Sequence, residues 1–175
     1  MAFSKIIAES MDLSDSYNFT GTLQQNGASI GGANTPVFAV SKSATQGLNN
    51  DAYTKVTWDV ENIDSDNAFA SDKFTAPSAG TYYFNATVLV QMGQTTTNWT
   101  SIYKNGSALR NCKRYRYGNT VTSHTEVAEV ITTLAQNDYI EVYHYTNIGA
   151  SLNRDLFGNN TADLASTFSG YKLIT

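Results

Sequence analysis

Phe74-Thr75-Ala76-Pro77-Ser78-Ala79-Gly80-Thr81-Tyr82-Tyr83-Phe84-Asn85-Ala86-Thr87-Val88-Leu89-Val90-Gln91-Met92 is a turn followed by the longest alternating run in the chain. Pro77 and Gly80 punctuate the turn. From Thr81 onward, Tyr82, Phe84, Ala86, Val88 and Val90 form one set, and Tyr83, Asn85, Thr87, Leu89 and Gln91 the other. Side chains two apart share a face of a strand, so this period predicts one long strand from Thr81 to Met92.

The same pattern continues on both sides. Upstream, Pro36 to Val40 is a candidate strand, and Lys55 to Val60 alternates with Val56, Trp58 and Val60 on one face. Downstream, Trp99 to Leu109 reads as a hairpin about Asn105-Gly106, because both turn positions need positive φ. Leu109 to Tyr117, Glu126 to Leu134, Tyr139 to Tyr145 and Phe168 to Ile174 complete the series. Gly170 interrupts the last strand, where a missing side chain permits close approach of a neighbour. Tyr (11) and Phe (8) favour strands, only two Pro occur, and no segment has an amphipathic helical period. Regular short strands predict an all-β sandwich or barrel.

At 175 residues the chain is long enough for a real core. Only 15% of it is charged and the net charge is -4. That balance argues against nucleic acid and against attraction to anionic membranes. No apolar run approaches the ~18 residues of a membrane span, and the start lacks the apolar run of a signal peptide. The expectation is synthesis in a host cytoplasm and release by lysis. Cys112 is the single cysteine, which excludes an intramolecular disulfide or a cysteine zinc site.

Residues 10 to 35 are rich in Ser, Asn, Gln and Gly, and a boundary is expected near residue 35. Residues 1–35 form an attachment segment whose Ile6, Ile7, Leu13, Tyr17 and Phe19 dock on the same chain or on a partner. Residues 36–175 form the head.

Phe74, Gly80, Tyr82 and Phe84 are spaced as in the signature of the globular head of complement component 1, subcomponent q, which this region resembles. Lys104-Asn105-Gly106 is similar to that family's central hairpin. Leu134 to Val142 and Ser166 to Leu173 are similar to its last two strands. The pattern departs at Ala86, Asn67 and Val56, and Asn62 matches it. The resemblance implies a ten-stranded jelly-roll β-sandwich like that of tumour necrosis factor, and a compact homotrimer. Met11 to Leu23 resembles strand-and-turn segments of bacteriophage tail fibres and other virion proteins.

Arg110, Lys113, Arg114, Tyr115, Arg116 and Tyr117 concentrate basic and aromatic side chains in an acidic chain. They suit an anionic host glycan or an acidic virion neighbour; a solvated edge strand is the alternative. Tyr139, Tyr143 and Tyr145 alternate against Ile140, Val142 and His144 and are expected at the trimer interface, or else on ordinary surface. His124 and Glu126 share a strand face, too little for a metal site. Asp64-Ser65-Asp66-Asn67 carries oxygens of calcium type but lacks the Gly-and-Glu loop. No nucleophile elbow, phosphate loop or paired metal motif occurs, so neither catalysis nor a cofactor is expected. The sequence reading is therefore a non-enzymatic, trimeric phage virion protein, with no membrane insertion. It serves as a tail-fibre tip touching the host, alternatively as a capsid decoration protein, and failing both as a soluble carbohydrate-binding or signalling module.

Overall fold

A computed structural model of the chain describes residues 35–91, 96–111, 115–117, 123–147, 154–158 and 166–173, and the strand pairs 24–25 and 28–29. The chain divides into two compact units, Met1–Ala33 and Asn34–Thr175. In the first, β1 (Gln24–Gln25) pairs with β2 (Ala28–Ser29). Ile6, Ile7, Leu13, Tyr17 and Phe19 lie outside the described residues.

The second unit is an all-β jelly-roll sandwich. Its strands are β3 (Val37–Ser41), β4 (Gln46–Leu48), β5 (Ala52–Lys55), β6 (Val60–Asp64), β7 (Phe69–Ala70), β8 (Lys73–Thr75) and β9 (Gly80–Gln91). They continue with β10 (Thr96–Lys104), β11 (Ser107–Asn111), β12 (Tyr115–Tyr117), β13 (Ser123–Leu134), β14 (Tyr139–Asn147), β15 (Arg154–Leu156) and β16 (Thr167–Lys172). One sheet runs β11-β10-β14-β8-β7, with β12 also on β10 and β5 also on β14. The other runs β4-β15-β9-β16-β3-β6, with β13 on β9. The implied ten strands are present in more numerous pieces, because several are only two or three residues long.

The core is what the alternation of β9 predicts: Tyr82, Phe84, Ala86, Val88 and Val90 are all fully buried. Phe38 lies at its centre, with ring centroids 4.9 Å from both Phe74 and Phe168. Gly170 pairs with Phe38 on one side and Phe84 on the other. A Cβ there would lie 2.5 Å from the Phe84 ring, so glycine is required by close approach. Asn105 and Gly106 have φ of 51° and 77°, the turn expected for the β10–β11 hairpin.

One expectation needs correction. Lys55 to Val60 is not a strand: β5 ends at Lys55 and β6 begins at Val60. Val56 and Trp58 are buried as the alternation predicts, but their backbone is satisfied outside a ladder. Val56 N donates to Val142 O, and Trp58 N donates to Asp72 Oδ1 at 2.7 Å. Gln46 brackets the segment, donating to Lys55 O and accepting from Thr57 N. At Thr57 and Trp58 side-chain partners thus replace a neighbouring strand, which alternation alone cannot distinguish. Leu109 to Tyr117 follows one edge of β10 as β11 and β12, and residues 112–114 between them lie outside the described residues. β11 pairs with Ser101–Lys104 and β12 with Thr96–Asn98, both against the same edge of β10.

Candidate binding surfaces

The outward residues of β5, β10 and β14 build an aromatic cluster on the first sheet. Register sets Trp99 and Tyr53 against Tyr145, and Ser101 against Tyr143. Trp99 stacks on Tyr145 with centroids 4.0 Å apart, and Tyr103 packs on Tyr143 at 4.4 Å. Tyr53 leans over the group, 5.1 Å from Tyr145, 5.9 Å from Trp99 and 6.1 Å from Tyr103, and is 47% exposed. Burial, then the neighbouring Tyr53 and Tyr143, pushes the Tyr103 hydroxyl's pKa up. At the rim, Tyr145 and Asn147 donate to Asp51 Oδ1 at 2.5 and 2.9 Å. These bonds, the Tyr145 one first, hold the Asp51 carboxyl below its usual range. Lys55 pairs with Glu141 at 2.8 Å and donates to Ser71 O. Tyr143 and Tyr145 therefore share a face, as their alternation predicts. Tyr139 does not join their aromatic cluster; Lys73 Nζ sits over its ring at 4.8 Å.

The second sheet turns a different face outward. β13 pairs only with β9, over its whole length, so its other edge has no strand partner among the described residues. Val127 and Ile131 on it are 48% and 63% exposed. On the same face Tyr83 lies 5.4 Å from Tyr171 and donates to Glu129 at 3.1 Å. Burial, then Glu129, pushes the Tyr83 hydroxyl's pKa up. A groove of about 400 Å³ runs between Tyr83, Arg110, Glu129, Val130 and Ile131.

Arg110 is thus exposed on β11 and lines that groove with Glu129. Tyr115, Arg116 and Tyr117 lie on β12, while Cys112, Lys113 and Arg114 lie outside the described residues.

Between the sheets, Thr100, Glu126 and His144 meet with no solvent exposure. Thr100 Oγ1 donates to Glu126 Oε2 at 2.8 Å and lies 3.1 Å from His144 Nδ1. Burial pushes the His144 ring down to about 3. A neutral ring protonated on Nδ1 leaves only the lone pair of Nε2 unused, a smaller cost than a buried, unpaired N–H. Hydroxyl, imidazole and carboxylate have the composition of a triad, yet no substrate can reach them. Glu126 thus turns to His144 across the sandwich. His124, its expected neighbour, is half-buried, and burial lowers its pKa. Sequence reading missed this contact, although both residues sit at inward positions of alternating strands. Among the described residues no cluster could hold a metal ion.

The calcium-like stretch is spent on its own turn. The two Asp64 oxygens accept from Ala68 N and Phe69 N, each at 2.9 Å, and Asp66 accepts from Ser65.

A family model for the C1q domain matches residues 37–173. No curated protein matches the sequence. Solved structures with the same fold include the globular domain of zebrafish complement 1qA (17% identity, TM-score 0.58, covering 80% of this chain and 98% of that one). Another is the Eiger TNF of S. frugiperda (13% identity, TM-score 0.57, 79% and 92%). A third is murine APRIL (15% identity, TM-score 0.52, 79% and 100%).

Proposed function

This chain belongs to the C1q domain family, and from that premise we propose that it forms a non-enzymatic homotrimeric head displayed on a bacteriophage particle, as the host-contacting tip of a tail fibre. The observation that carries the trimer is the outward face of the second sheet. A long strand with no strand partner on one edge among the described residues, and with exposed Val127 and Ile131, is a template for unwanted pairing unless another chain covers it. Tyr83 and Tyr171 continue the same apolar surface inward. A three-fold arrangement covers this face in every copy. This supports a contact on the second sheet over one through Tyr139, Tyr143 and Tyr145.

Burial of the Thr100–Glu126–His144 set supports binding over chemistry. The likeness of Met11 to Leu23 to tail-fibre segments supports the particle. Three heads on one particle turn weak contacts into avidity.

Light scattering on the purified chain tests the assembly. The expected mass is three times the 19.1 kDa of one chain, falling to one chain for Ile131→Asp with the circular dichroism spectrum retained. A monomeric wild type overturns the trimer. Purified particles test the rest: the expected result is a few trimers on the tail, and a copy number matching the capsid lattice refutes the fibre role.

A further inference from the structure

We propose that the aromatic face of the first sheet is a binding platform for an uncharged saccharide chain. This rests on the reading above, in which the second sheet meets the other subunits and the first sheet is left outward.

Sugar rings present C–H faces that pack on aromatic rings, and hydroxyls that both donate and accept. The platform meets both needs. Trp99, Tyr103, Tyr143 and Tyr145 form a layer across β10 and β14, and Tyr53 stands over it half exposed. Aromatic side chains supply large contact area at small entropic cost, since they have few rotatable bonds. Among the described residues, the Tyr53, Tyr103 and Tyr143 hydroxyls have no hydrogen-bond partner within the chain. Asp51 accepts from Tyr145 and Asn147 through Oδ1 alone, so Oδ2 remains for a ligand hydroxyl.

Charge decides between neutral and acidic glycans. The described charged groups beside the rings are Asp51, Glu141 and Lys55, and Lys55 is committed to Glu141 and Ser71 O. Among the described residues, an anionic polymer would meet Asp51 and Glu141 here, while Lys55 is engaged with Glu141 and Lys73 with the Tyr139 ring. Arg110 faces the groove on the other sheet.

Native affinity electrophoresis of the full chain, through gels containing dextran, mannan or hyaluronan, tests the assignment alongside a neutral-glycan array. The expected result is retardation or capture by a neutral glycan and none by hyaluronan. Tyr53→Ala is expected to weaken capture by about tenfold or more, with native mass and circular dichroism spectrum unchanged. Tyr53→Phe separates the contribution of the hydroxyl from that of the ring. Three results overturn the proposal: a folded trimer that captures no neutral glycan, capture by hyaluronan alone, or Tyr53→Ala changing the native mass. The last would mean that the face is a protein contact. A monomeric wild type that still captures neutral glycan would refute the trimer and leave the platform standing.

Discussion

Asn105 Nδ2 donates to Asp138 Oδ1 at 2.7 Å, joining two turns 33 residues apart. The pair is the centre of a clasp. Asp138 Oδ2 takes Lys104 at 2.9 Å and Ala135 N at 2.8 Å, and Asn105 Oδ1 takes Tyr139 N. One amide and one carboxylate thus fix the hairpin that ends β10 against the turn that begins β14.

Asn105→Ala is expected to destabilise the head by about 1–2 kcal/mol, from the left-handed backbone alone. The bond to Asn105, then that to Lys104, hold the Asp138 carboxyl near 2, against an ordinary 3.8. A depressed carboxylate stabilises above its unfolded value. The contribution of the clasp is therefore complete above pH 3.8 and lost as pH falls toward 2. Urea midpoints across this window should fall more steeply for the wild type than for Asp138→Asn.

His144 gives a second pH dependence with a wider window. Its folded pKa, about 3, lies below the ordinary 6.5. The unfolded chain therefore takes up this proton first, and stability falls from pH 6.5 toward 3. The loss is on the order of 4–5 kcal/mol at most. His144→Leu should flatten the slope of stability against pH in that range. A variant retaining the full slope would assign it to other groups.

Gly170→Ala should cost about 3 kcal/mol by overpacking. The new methyl would meet the Phe84 and Phe38 rings at 2.5 and 2.8 Å and Tyr83 O at 2.8 Å. Backbone and two core rings cannot all yield. Denaturant unfolding of the soluble fraction measures the loss, and a value under 1 kcal/mol would show that β16 shifts to accommodate the methyl.

Asp64→Ala should lower the melting temperature by removing both acceptors of the β6–β7 turn, a loss of about 1–3 kcal/mol. Added calcium should leave the wild-type melting curve where it is, because the carboxylate is already engaged. A calcium-dependent rise would return these side chains to the role of metal ligands.

The sequence by itself determined the local conformations. Strict alternation in Tyr82 to Val90 fixed a long strand and its buried face, Asn105-Gly106 fixed a hairpin, and Gly170 marked a place where neighbours come close. Each is legible because a strand's period and a residue's φ range are properties of adjacent residues. The order of the motifs around them carried the family. Tertiary structure decided everything that depends on which strands become neighbours. It brought Glu126 to His144, Asn105 to Asp138, and Tyr53 to Trp99 and Tyr145. It also gave Val56 and Trp58 buried positions without a strand. Pairing and register are set by the sum of contacts over the whole sandwich, so no window of sequence contains them.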